Sequence, residues 1–225
     1  MIWNDHSRDN LEDHAILSPS GYNWINYSPD EMVEKIRNRY YNTMRSPAGT
    51  AIHDFAANAI LKKERLPKQI NNVAKMIRFF MINNKVPYSD ELINFIGMLP
   101  DHVFKTVILY VNDCIGYRMD HLEQRLVYSY SCHGKADAIS FEDGLLRISD
   151  LKTGDGPTHM EQLLVYDALF CLEYHFRPDQ IKIENRIYQY GEVQEMLEVP
   201  SEVILKIMQT IITESKIAQE LRGRE

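Results

Sequence analysis

The dipeptide Asp143-Gly144 lies between two alternating runs, "GKADAISF" before it and "LLRISDLK" after it. The tightest hairpin turn needs positive φ at both central positions, which glycine adopts freely and aspartate tolerates. A β-hairpin is therefore predicted, and a two-residue turn sets its register. Glu142 pairs with Leu145, Ile139 with Ile148, and Asp137 comes to face Asp150. The same count sets Lys135 across from Lys152. Alternate residues of a strand share a face. Leu146, Ile148, Asp150 and Lys152 thus line one side, where two apolar residues give way to a carboxylate and an amine.

Directly opposed residues have Cβ atoms roughly 4.5–5.5 Å apart, and like charges in that relation repel. Two readings follow. In one, a divalent cation offsets the repulsion, as Mg²⁺ does when one or two carboxylates hold it alongside water and phosphate oxygens. In the other, Asp and Lys simply alternate on a solvated face.

The remaining chain predicts a single α/β domain over 1–225, mainly helical over 1–118 and carrying the sheet over 119–225. "SPSGYNW" reads as loop, and "SPDEMVEKIRNRYYNTM" begins a helix with a serine cap, Pro29 in the first turn and acids beside it. A helix after Gly49 is marked by Ile52, Phe55, Ala56, Ala59, Ile60 and Leu61 at helical spacing, with His53 near its start. Further helices are expected at 67–83, 89–97 and 100–118, the last apolar at Val103, Val107, Leu109, Tyr110 and Ile115. "QRLVYSYSC" alternates as a strand ahead of the hairpin. After the turn "TGDGPTH" comes a helix, "MEQLLVYDALFCLEYHF", in which Gln162 and Tyr166 share a face. Taken alone, that pair is an amphipathic boundary. "QIKIENRIYQY" is a further strand. "PSEVILKIMQTIITESKIAQEL" closes the chain as a helix with an apolar stripe at Val203, Ile204, Ile207, Ile211 and Ile212.

Composition narrows the classes. With 225 residues, 44% of them hydrophobic, the chain can build a sizeable core. No apolar run reaches the roughly 18 residues of a membrane span, and the polar, acidic N-terminus is unlike a secretory signal. A cytoplasmic protein is expected, in the host cytoplasm if a phage encodes it. The three cysteines are few and irregularly spaced, which fits a reducing compartment rather than a disulfide framework. A net charge of −7 gives no global attraction to nucleic acid. A polyanion would have to be held by local basic groups or by metal ions.

The ordered set of His53 in "GTAIH", Asp137 in "GKAD", Asp150 and Lys152 in "DLK", and Gln162 and Tyr166 in "QLLVY" resembles the motif series of the RecB-like branch of the PD-(D/E)XK nuclease superfamily. The resemblance spans residues 49–166. It implies a restriction-endonuclease-like core, a central mixed β-sheet flanked by helices, with metal-dependent hydrolysis of phosphodiester bonds in DNA. It also implies roles: His53, Asp137, Asp150 and the main-chain carbonyl of Leu151 as ligands of Mg²⁺ or Mn²⁺, with Asp137, Asp150 and Lys152 as the catalytic set. Gln162, Tyr166 and Lys135 would meet the substrate strand. Glu123 resembles an acidic position of some relatives. An imidazole ligand suits Mn²⁺ better than Mg²⁺.

Several relatives carry four cysteines for an iron–sulfur cluster; this chain lacks them, so no cluster is expected. Cys132, His133, Cys171 and His175 lack the close ligand pairs of structural zinc motifs. The family analogy favours an exonuclease of recombination, repair or phage DNA processing, with DNA and a homo-oligomer or recombination protein as partners. Two other classes compete: a catalytically silent nucleic-acid-binding or assembly subunit that keeps the fold, and an unrelated helical interaction protein. By itself His53 would be an ordinary helix histidine.

Overall fold

Five strands form one mixed sheet in the order β1-β2-β3-β4-β5: His121–Ser129, Cys132–Glu142, Leu145–Leu151, Lys182–Gln189 and Glu192–Met196. The computed structural model describes residues 4–5, 15, 17–32, 47–84 and 88–222. Asp143 and Gly144 take φ of 51° and 75°, and the hairpin register runs Glu142–Leu145 through Ile139–Ile148 to Ala138–Ser149, as the turn chemistry requires. β3 then pairs in parallel with β4, the two joined by a crossover through helix α5, Glu161–Tyr174. The other neighbouring pairs are antiparallel.

Helices α1 Pro47–Leu61, α2 Ile70–Asn83, α3 Asp90–Ile96 and α4 Asp101–Gly116 precede the sheet. Ser89 caps α3 by accepting from the Leu92 amide at 3.2 Å. These helices cover one face of the sheet. Ile52, Phe55, Ile77, Val107 and Val111 form a core there with Leu151 and Tyr188. The opposite face is buried by α5 and the closing helix α6, Ser201–Arg222, through Ile139, Leu146, Ile148, Phe170, Ile187 and Ile207. The architecture is the expected α/β one, a mixed sheet between helical layers with a helical N-terminal half.

Several local expectations are corrected. "SPSGYNW" is not loop: Pro19–Asn26 is a 3₁₀ segment whose Trp24 is fully buried, its indole N–H donating to the Ser18 carbonyl at 2.9 Å. Proline fits the first turn, and burial of one large aromatic holds the segment down. Helix α1 includes Gly49 rather than following it. Leu61 is 63% exposed, being turned by about 100° from Ile60 and so off the buried face. In α6 the buried stripe is Ile204, Ile207 and Ile211, while Val203 points outward. Strand β5 was not expected at all. Tyr190 and Gly191, with φ of 54° and 77°, repeat the turn of Asp143 and Gly144. Tyrosine is a poor turn signal, and the largely exposed β5 lacks the apolar alternation that marks a strand. In the helix predicted from Ser28, the first turn shows a capping box, Glu31 Oε2 accepting from the Ser28 amide at 2.8 Å. The part of that helix beyond residue 32 lies outside the described residues.

Candidate metal centre

Beyond Ala138–Ser149 the β2–β3 ladder stops, and this departure builds the site. The Lys152 amide donates to the Tyr188 carbonyl at 2.9 Å, so the end of β3 follows β4 rather than β2. Asp137 and Asp150 are therefore not a ladder pair. Instead, Asp137 Oδ2 accepts from the Leu151 amide at 2.9 Å across the opening between the strands. Lys135 and Lys152 do not form the expected facing pair either. Lys135 lies opposite Arg125 of β1, and its ammonium is 2.5 Å from Glu123 Oε2.

Three residues converge at this opening. His53 of α1, Glu123 of β1 and Asp137 of β2 each offer a ligand atom, and these atoms lie within 4.8 Å of one another. His53 Nδ1 is 3.4 Å from Asp137 Oδ1 and 3.8 Å from Glu123 Oε1. The imidazole thus lies beside both carboxylates. His53 and Asp137 are buried and Glu123 is 24% exposed, which leaves one side of the cluster accessible.

Glu123 reaches the cluster through an unusual backbone. The β1–β2 ladder passes from Leu122–Ala138 to Gln124–Ala136, skipping Glu123 and Asp137, and Glu123 has a φ of 51°. A non-glycine residue in that conformation costs on the order of 1–3 kcal/mol, and such outliers concentrate at functional sites. Burial disfavours the charged carboxylate of Glu123, but hydrogen bonding to His53 and Lys135 outweighs it and holds the carboxyl below its usual range.

Asp150 and Lys152 form an adjoining group. Lys152 Nζ is 2.8 Å from Asp150 Oδ2 and donates to Gln162 Oε1 at 2.8 Å. Gln162 Nε2 reaches Asp150 Oδ1 at 3.3 Å. Gln162 thus holds both the acid and the ammonium, and the Q-x-x-x-Y face of α5 points inward. Tyr166 donates its hydroxyl to the Lys135 carbonyl at 2.6 Å, tying α5 to β2 beside the cluster. Burial pushes the Asp150 carboxyl above its usual range, with Lys152 opposing the rise. The Lys152 ammonium beside Asp150 Oδ2 is thus the group that opposes the burial. Leu151 donates its amide to Asp137 and buries its side chain under the helical layer.

Oxygen donors from Glu123 and Asp137 with one imidazole fit a hard or borderline divalent ion such as Mg²⁺ or Mn²⁺. Asp150, ion-paired to Lys152, is not among the three residues whose ligand atoms converge. Glu123, singled out only by its resemblance to an acidic position of some relatives, is one of the three clustered groups. One neighbour carries no sequence signal. Tyr110 of α4, buried and with its phenol pushed well up by burial, lies within electrostatic reach of Asp137, Glu123 and Asp150. Cys132 and Cys171 are buried thiols whose acidity is suppressed by burial. Among the described residues, the one cluster able to hold a metal is that of His53, Glu123 and Asp137.

Fold and site together define an α/β protein with a candidate divalent-metal centre at the opening of a mixed sheet. The chain belongs to the family described as "Protein of unknown function (DUF2800)", whose profile matches residues 14–189. That span takes in every residue of the site and ends at the last residue of β4. No curated protein matches the chain significantly. Among the described residues, no helix is long and apolar enough to cross a membrane.

Proposed function

We propose that the protein is a metal-dependent DNA nuclease of the RecB-like PD-(D/E)XK type, acting as an exonuclease on DNA ends. One observation carries this reading: side chains from four elements, His53, Asp137, Asp150 with Lys152, and Gln162, meet at the opening between β2 and β3. They belong to the motif series that resembles that superfamily. Exonuclease rather than endonuclease action, and DNA rather than another polyanion, rest on the resemblance.

His53, Glu123 and Asp137 would hold the ion, with Asp150 adjoining them. A bound divalent ion polarises a phosphoryl oxygen and lowers the pKa of a bound water. The chain's own residues do the rest. Gln162 restrains Lys152 at 2.8 Å, so the ammonium is positioned before substrate arrives. From there Lys152 stabilises negative charge developing on the phosphoryl group or orients the attacking water, a preorganised contribution that requires little rearrangement during reaction. Tyr166 fixes the β2 backbone at Lys135, whose side chain shields Glu123 from the approaching phosphate.

The test is digestion of linear and circular DNA with Mg²⁺ or Mn²⁺, repeated with chelator and with Asp150→Ala, beside calorimetric titration of Mn²⁺ into both proteins. Metal-dependent loss of linear DNA alone, abolished by the substitution, is the expected result. Digestion that survives chelation or Asp150→Ala refutes the mechanism. Mn²⁺ and DNA binding without digestion identifies a silent subunit of the same fold.

A further inference from the structure

The loop that follows Lys152 has an arrangement the motif series does not explain. Three successive carbonyls point to one side: Gln189 Nε2 donates to Gly154 O at 2.6 Å and to Gly156 O at 2.8 Å, and the Tyr190 hydroxyl donates to Asp155 O at 2.8 Å. In a planar trans peptide the N–H lies opposite the preceding carbonyl. The amides of Asp155 and Gly156 are therefore aimed away from the Gln189–Tyr190 side. The third peptide ends in Pro157, which has no N–H to orient. Neither of the two amides donates to an acceptor among the described residues.

The surroundings are open. A side chain placed on Gly154 or Gly156 would meet nothing within 4 Å, so another molecule can come close to the backbone. The one negative group on the loop is held aside, Asp155 Oδ1 lying 3.5 Å from His102 Nε2. His102 in turn is packed on the Tyr190 ring, with centroids 5.1 Å apart. Gly191 N donates to Thr106 Oγ1 at 2.7 Å, fixing the turn that supplies both donors to α4. The loop leaves the carboxyl end of β3 beside the carboxyl end of β4, where open α/β sheets bind ligands.

We propose that Gly154–Gly156 is a phosphate cradle: the Asp155 and Gly156 amides receive a backbone phosphate of the nucleic acid neighbouring the one that meets Lys152. Adjacent outward amides make an anion-binding concavity. The two lie within roughly 14 Å of chain from Lys152, so one strand can engage both. In a chain of net charge −7 such a local donor pair also supplies attraction that the overall field does not. Gln189 and Tyr190 are positioning residues, acting through the loop. The inference rests on the nucleic-acid reading above for its ligand, though not on hydrolysis.

A two-by-two comparison tests it. Wild type and Gln189→Ala are assayed on a short linear DNA, unmodified or bearing one neutral methylphosphonate one or two linkages from the cleaved phosphate. KM and kcat are measured, and equilibrium binding of the same DNAs is read by fluorescence anisotropy with Ca²⁺. A hydrogen bond to a charged group contributes about 1.5–3 kcal/mol, so either change alone weakens binding about tenfold or more, in KM rather than kcat. Combined, they cost no more than one alone, because both remove the same contact. Effects that multiply, or a Gln189→Ala protein that binds unmodified DNA as wild type does, overturn the cradle. Tyr190→Phe, which removes one strut and keeps the ring on His102, repeats the test if Gln189→Ala fails to fold. Wild-type binding without cleavage overturns hydrolysis and leaves the cradle to be judged by the anisotropy cycle; absence of binding overturns both.

Discussion

Replacing Asp167 by Asn should remove one identifiable component of the protein's pH dependence. Asp167 is fully buried in α5, and its Oδ2 accepts from Asn185 Nδ2 of β4 at 2.6 Å. Asp167 Oδ1 and Asn185 Oδ1 have no hydrogen-bond partner among the described residues. A proton on the acid would let these two orphaned oxygens meet as donor and acceptor. Burial accordingly pushes the carboxyl up to about 8, with the Asn185 hydrogen bond opposing the rise. The unfolded chain titrates near 3.9, so between these values the folded protein binds the extra proton. Stability from this group is therefore fully present below about pH 4. It declines by at most about 1.4 kcal/mol per pH unit as pH rises, and levels off above about 8. The loss across the window is on the order of 5 kcal/mol. Asparagine cannot titrate, and its amide can donate to Asn185 Oδ1. Urea unfolding of both proteins, followed by circular dichroism at pH 5, 6, 7 and 8, isolates the effect, because other groups cancel in the difference. The variant should gain on wild type with each step up in pH. Parallel profiles would refute the assignment of a neutral buried acid.

Other consequences are open to direct measurement. Glu123→Gly should weaken Mn²⁺ binding by about tenfold or more in calorimetry, while the melting temperature does not fall, because glycine adopts the φ of 51° without strain. If the proposed nuclease reading holds, Gln162→Leu should leave the fold intact by circular dichroism yet lower DNA cleavage about 10²-fold, since it frees the Lys152 ammonium from its 2.8 Å restraint. Gly134→Ala places a methyl 2.3 Å from Pro19 Cδ and 3.0 Å from Tyr166 Cε1. It should cost about 1–3 kcal/mol in urea unfolding by forcing the 3₁₀ segment off the sheet. Gly144→Ala meets no atom within 4 Å at a φ of 75°, so its cost, about 1–2 kcal/mol, should be conformational alone.

Legibility followed the range of the interaction. The Asp143-Gly144 hairpin, the apolar faces of α1 and α4 and the inward Q-x-x-x-Y face of α5 depend on neighbours a few residues apart, and the string displays them. Strand β5 was missed because an exposed edge strand needs no apolar alternation and Tyr190 hid the turn. Trp24 was missed because one buried ring anchors the 3₁₀ segment without a periodic pattern. The count from the hairpin held to Ala138–Ser149 and failed one step later, where the Asp137 side chain, rather than the β2 backbone, accepts from the Leu151 amide.

The amino-acid order by itself determined the hairpin register as far as Ala138–Ser149, the mixed α/β plan and which acids, imidazole and ammonium were available for chemistry, because turn chemistry and strand periodicity act locally. Only the tertiary structure decided which of them meet. Glu123 joins His53 and Asp137 through a left-handed residue in β1, and Asp150 is drawn to Lys152 and Gln162 where β3 leaves β2. Those placements depend on backbone strain and on contacts between strands and helices far apart in the chain, which no short stretch of residues encodes.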